Sequence, residues 1–97
     1  MQKNPFNNAN IIVDTYDVYA KTGSLMGVPA NGESEAPVDI SKSGYTPIFA
    51  EVEVSGSVTC MVYKQQLSGN YFTIGLHNVG TSRVDVNPNF RVVYKEG

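Results

Sequence analysis

The chain has 97 residues, with seven basic and nine acidic side chains, one histidine, one cysteine and no tryptophan. That length suits one domain, and a formal charge of -2, with basic residues scattered from Lys3 to Lys95, excludes the clustered cations that nucleic acid or an anionic membrane requires. A single cysteine excludes an internal disulfide and, with one histidine, falls short of a zinc site within one chain.

No cofactor and no metal is therefore expected, and the fold must rest on apolar packing. A chain of this mass hides roughly 60–65% of its extended surface on folding, so burial between copies would supplement a modest core.

Residues 1–10, rich in asparagine, contain no apolar run long enough for a signal peptide or a membrane span. They read as a flexible N-terminal arm ahead of a single domain at residues 11–97, made in the cytoplasm of the producing cell. From Ile11 to Ala20, β-branched and aromatic residues dominate, with Ile12, Tyr16 and Val18 on even positions, which predicts a strand. Thr22 to Val28, with Gly23 and Gly27 around Ser24-Leu25-Met26, reads as a short extended piece or bend. Pro29 to Pro37 reads as an exposed acidic loop: Asn31-Gly32 suits a tight turn of positive φ, and Glu33 and Glu35 follow.

Val38 to Ser41 alternates as a short strand, and Ser43-Gly44 turns the chain into Tyr45-Thr46-Pro47. Pro47 cannot donate to a ladder and should begin the next strand. From Ile48 to Ser55, the residues Ile48, Ala50, Val52 and Val54 point to one side and Phe49, Glu51, Glu53 and Ser55 to the other, the pattern of a half-buried strand. Val58, Cys60 and Val62 alternate with Thr59, Met61 and Tyr63 up to the turn at Gln65–Asn70. Phe72, Ile74 and Leu76 then point inward against Tyr71, Thr73, Gly75 and His77, which predicts an antiparallel hairpin with the strand before. After the turn cluster Asn78–Ser82, Val84 and Val86 lead to Pro88, and Phe90, Val92 and Tyr94 form the last alternating set, a strand interrupted or bulged near the proline. Helix should be nearly absent, and about six to eight short strands predict a small all-β fold, an antiparallel β-sandwich or jelly-roll.

Reactive groups are sparse. His77 has no serine or carboxylate at triad spacing; a trimer would bring three copies to an axis where imidazoles bind a metal or an anion, but an ordinary strand histidine is the reading adopted. Cys60 shares an apolar face with Val58 and Val62 and reads as a small hydrophobe. Asp14 with Asp17, and Glu51 with Glu53, are the carboxylate pairs to weigh for acid–base or calcium chemistry. Glu51 and Glu53 fall on a solvent face, where charge discourages edge pairing. Six tyrosines exceed what one small core holds, and tyrosine suits both subunit contacts and sugar stacking. Phe49, Met61, Tyr63 and Tyr71, with His77, are the candidate interface residues between protomers. A sugar-binding tyrosine face on a monomeric adhesin is the second reading, a bacterial immunoglobulin-like interaction domain the third, and an enzyme the last.

The order Gly44-Tyr45-Thr46-Pro47-Ile48, alternating Ala50, Val52 and Val54, Leu67-Ser68-Gly69-Asn70 before a strand, Asn78-Val79-Gly80-Thr81-Ser82, and Arg91-Val92-Val93-Tyr94-Lys95 resembles the small C-terminal β-domains of bacteriophage and prophage tail-fibre or baseplate proteins. The resemblance runs from Ile40 to Lys95 and rests on the order of short elements. It implies a compact β-sandwich that forms a homotrimer in a virion and faces a host receptor, such as a surface glycan. Such domains usually close a long fibre, whereas only some forty residues precede the match here. Two expectations follow: an excised fibre tip, or a standalone capsid decoration knob or head-fibre element that attaches to other virion proteins by residues 1–10.

Overall fold

A computed structural model describes residues 10–97; the expected N-terminal arm lies outside the described residues, apart from Asn10. Eight antiparallel strands and one helical turn follow in the order β1 (Ile11–Asp17), α1 (Val18–Thr22), β2 (Met26–Val28), β3 (Glu33–Asp39), β4 (Tyr45–Val54), β5 (Cys60–Ser68), β6 (Tyr71–Asn78), β7 (Val84–Val86) and β8 (Asn89–Glu96). They form two three-stranded sheets, β1-β8-β4 and β3-β6-β5, and a two-stranded ribbon, β2-β7. The predicted all-β, sandwich-like fold is therefore the one observed.

The central strands β8 and β6 carry the core. Phe90, Val92 and Tyr94 point from β8 toward Phe72, Ile74 and Leu76 of β6, and all six are fully buried. The rings of Phe72 and Phe90 meet at 5.4 Å between centroids in a tilted arrangement, the geometry that aromatic quadrupoles favour. The β2-β7 ribbon lies beside β3 and β6 and adds Met26, Val28 and Val86 to the same cluster.

Hydrogen bonds that no periodicity reveals account for several differences from the sequence reading. The strand expected to reach Ala20 stops at Asp17, because the Asp17 carboxylate accepts from Ala20 N–H at 2.7 Å and Asn87 Oδ1 accepts from Tyr19 N–H at 2.8 Å. An N-cap of this kind satisfies donors that a first helical turn leaves open, and Gly23 closes α1 by donating its N–H to the Tyr19 carbonyl. The expected acidic loop is a turn at Pro29–Gly32, where Asn31 has φ 53, followed by β3 with Glu33, Glu35 and Pro37 inside the strand. β3 is an edge strand, the place where proline is tolerated in a sheet.

Pro47 is the third residue of β4 rather than the first, and it is buried. A register shift between Pro47 and Phe49 leaves Ile48 exposed beside Phe49, so Ile48 leaves the inward set to which alternation assigned it. A second shift, between Val52 and Val54, exposes Val54 in the same way. Val58 stands fully in solvent, and β5 begins at the buried Cys60. Pro88 separates two strands of different sheets, β7 and β8, rather than bending one. The β5–β6 hairpin forms as expected, but its turn is shorter than Gln65–Asn70: β5 runs on to Ser68, which pairs with Tyr71, and Gly69 at φ 57 supplies the positive φ of a two-residue loop.

Candidate interaction surface

The outer face of β3-β6-β5 is built from the residues that alternation turns away from the core. In register across the three strands lie Glu33, His77 and Met61, then Glu35, Gly75 and Lys64, then Pro37, Thr73 and Gln66, and last Asp39, Tyr71 and Ser68. Tyr63 falls in the register shift between Val62 and Lys64. Four of the five candidate interface residues, Met61, Tyr63, Tyr71 and His77, thus share one face. Met61, Tyr63 and Tyr71 are exposed.

Tyr63 holds this face together. Its ring crosses Gly75, and its hydroxyl donates to Glu35 Oε2 at 2.7 Å, while Lys64 Nζ reaches Glu35 Oε1 at 3.3 Å. The Tyr63 hydrogen bond, then that of Lys64, holds the Glu35 carboxyl below its ordinary value. The same bond pushes the Tyr63 phenol up to about 12. At the end of the face, His77 Nδ1 is shut off from solvent with no hydrogen-bond partner, and Glu33 Oε2 lies 3.5 Å from it.

Phe49 is not part of this face. It sits on the outer face of β1-β8-β4, in one row with Val93 and Val13, beside the ion pair of Arg91 with Glu51. Val13 is 57% and Phe49 48% exposed, so this second face is apolar across its middle. Sequence reading missed Val13, although odd spacing from Ile11 to Thr15 opposite the core-facing Ile12 and Tyr16 would have placed it there.

The Asp14–Asp17 carboxylate pair is separated by function. Asp14 meets Lys42 Nζ at 3.0 Å, a bond that raises the Lys42 ammonium above its usual value, and accepts from the Tyr16 hydroxyl at 3.2 Å; Asp17 caps α1. Glu51 is taken up by Arg91. The fully buried Asn78, read from sequence as turn, donates to the carbonyls of Ser82 (2.9 Å) and Val28 (3.2 Å) and accepts from Gly80 N–H at 2.8 Å. It ties β6 to β2 and to the following loop.

Among the described residues no three His, Cys, Asp or Glu side chains are placed to share a metal ion, and no helix is long and apolar enough to cross a membrane. No family model matches the chain, and neither curated proteins nor solved structures yield a match.

Proposed function

We propose that the chain is a non-catalytic structural protein of a bacteriophage virion, a fibre or baseplate tip or a capsid decoration or head-fibre knob, which works by assembling with copies of itself and presenting its remaining surface. The observation that carries the reading is the placement of large apolar side chains on the outer faces of two sheets, Met61, Tyr63 and Tyr71 on one and Val13 and Phe49 on the other. Exposed apolar patches on a small domain mark contact surfaces. The virion assignment itself rests on the order of elements from Ile40 to Lys95.

Light scattering at micromolar concentration tests self-assembly: a multiple of the 10.5 kDa chain mass supports it, and a monomer overturns it. The fibre resemblance implies three copies. Recovery of the chain in gradient-purified particles supports the virion reading, whereas recovery in the soluble fraction alone overturns it.

A second reading, a glycan-binding face, draws on the exposed Tyr71 ring next to Thr73 and Gln66, since an aromatic ring beside hydrogen-bonding side chains suits a sugar. Binding to a glycan array that is lost in Tyr71→Ala supports it; an array without hits removes it.

A further inference from the structure

The four edges of the two three-stranded sheets differ in how they are guarded. Ile40 N–H donates to Asn70 and Asn78 N–H to the Gly32 carbonyl, so the even residues of β3 bond to β6 and the odd ones turn their backbone outward. Those odd residues are Glu33, Glu35, Pro37 and Asp39, three charges and a proline, which blunt an edge. β4 carries Pro47 and two register shifts, and Gln65 Oε1 of β5 occupies its Val52 N–H at 2.6 Å. β5 has its own register shift and lies against β4.

β1 has no proline and no register shift, and of its outward residues only Asp17, at its end, is charged. Its pairing with β8 runs without a shift over all seven residues. Glu96 N–H donates to the Asn10 carbonyl and Val18 N–H to that of Pro88, so even residues bond to β8. The backbone groups of Ile11, Val13, Thr15 and Asp17 therefore point outward, and no described strand takes them. A regular edge of this kind, uncharged from Ile11 to Thr15 on its outward residues, is a template for another strand.

We propose that this edge pairs antiparallel with β1 of a second copy, in the register that sets Val13 opposite Val13 across a two-fold axis; the proposal rests on the self-assembly reading and sets two copies in place of the three that the fibre resemblance implies. The bonding pattern admits only odd residues opposite odd ones as hydrogen-bonded pairs, which leaves few registers. Centring on Asp14 puts two carboxylates directly opposite each other, a destabilising arrangement. Centring on Ile12 leaves only Ile11 and Val13 of the described residues as hydrogen-bonded partners, and centring on Thr15 sets the apolar Val13 opposite the Asp17 carboxylate. Centring on Val13 pairs Ile11 with Thr15 at both ends and sets Asp14 opposite Ile12. The same register joins Phe49, Val93 and Val13 to their counterparts in one unbroken apolar row across six strands. A two-fold pairing is closed, since each edge is consumed by its equal.

The test is light scattering over a concentration series up to about 100 micromolar, the range where a small interface associates, on the full chain and on Val13→Lys. This exposed position tolerates lysine in the monomer, but the dimer would set two ammonium groups face to face. The expected result is a mass rising to twice 10.5 kDa for the unaltered chain and staying at one chain for the variant. Amide hydrogen exchange supplies the second readout, which remains decisive if circular dichroism shows that the variant has not folded. Val13 and Thr15 amides should exchange slowly at high concentration and lose that protection on dilution. A trimer, or a dimer unchanged by Val13→Lys, overturns the β1 pairing and leaves self-assembly standing. A monomer throughout overturns both, and protected Val13 and Thr15 amides in a monomer would assign the edge to residues of the same chain.

Discussion

The ring of Tyr63 reaches from β5 across the backbone of Gly75 in β6 to the Glu35 carboxylate of β3, and this contact requires that Gly75 have no side chain. A Cβ there would sit 2.7 Å from Tyr63 Cζ and 2.8 Å from Lys64 Cβ, closer than such atoms approach. Gly75→Ala should therefore lower stability by about 1–3 kcal/mol through overpacking, seen as an earlier midpoint in urea. Tyr63→Ala in the same chain should recover part of the loss, because the ring is one of the two obstacles and Lys64 Cβ the other. An additive double-mutant cycle would contradict the contact.

The Tyr63–Glu35 bond also links stability to pH. Glu35 titrates lower in the folded chain than its ordinary 4.5, so its contribution is present above that value and is lost as pH falls through the depressed one. Tyr63 is raised from 10.0 to about 12, so its contribution is present below pH 10.0 and is lost as pH climbs toward 12. Tyr63→Phe should flatten both limbs of a plot of urea midpoint against pH. A plot that keeps its shape in the variant would count against the bond. Because Glu35 is partly exposed, the change should shrink in high salt.

Asn78→Ala removes three hydrogen bonds from a buried position and leaves the Val28 and Ser82 carbonyls and the Gly80 N–H without their partner. Stranded buried groups of this kind should cost about 2–4 kcal/mol, measured by chemical denaturation. The loss should be accompanied by faster amide exchange in β2 and in the loop after β6, which this side chain ties together.

What the sequence made legible is what period two carries. The inward set Phe72, Ile74 and Leu76 and the set Phe90, Val92 and Tyr94 are buried as their alternation predicts, and so the two central strands and the hairpin at Gly69 were readable. Edge strands are less legible. β4 breaks its alternation at two register shifts, so Ile48 and Val54 left the face that counting gave them. Glu33, Glu35 and Pro37 looked like a loop because an exposed edge selects against the apolar residues that announce a strand. The end of β1 was set by Asp17 and Asn87, whose partners lie in space rather than in a repeating pattern. On the surface side, outward phase alone gathered Met61, Tyr63, Tyr71 and His77 on one sheet. Phe49 went elsewhere because phase says which side of its own sheet a residue faces and nothing of which sheet the strand joins.

Tyr94 offers a sharper test of how the two sheets are joined. Its hydroxyl donates to the Ile40 carbonyl at 2.6 Å and lies 2.9 Å from the hydroxyl of Tyr16, which in turn reaches Asp14 and, through it, Lys42. Burial first, then the Tyr16 hydroxyl beside it, pushes the phenol well above its ordinary range. Tyr94→Phe keeps the ring and its edge contact with Tyr45 but leaves the Ile40 carbonyl without its phenol donor, a loss of about 1–3 kcal/mol. Tyr16→Phe leaves that donor in place and should cost less. The order of the two midpoints in urea checks the direction of the network: if Tyr16→Phe proves the more damaging, the connection between sheets runs through Asp14 and Lys42 rather than through Ile40.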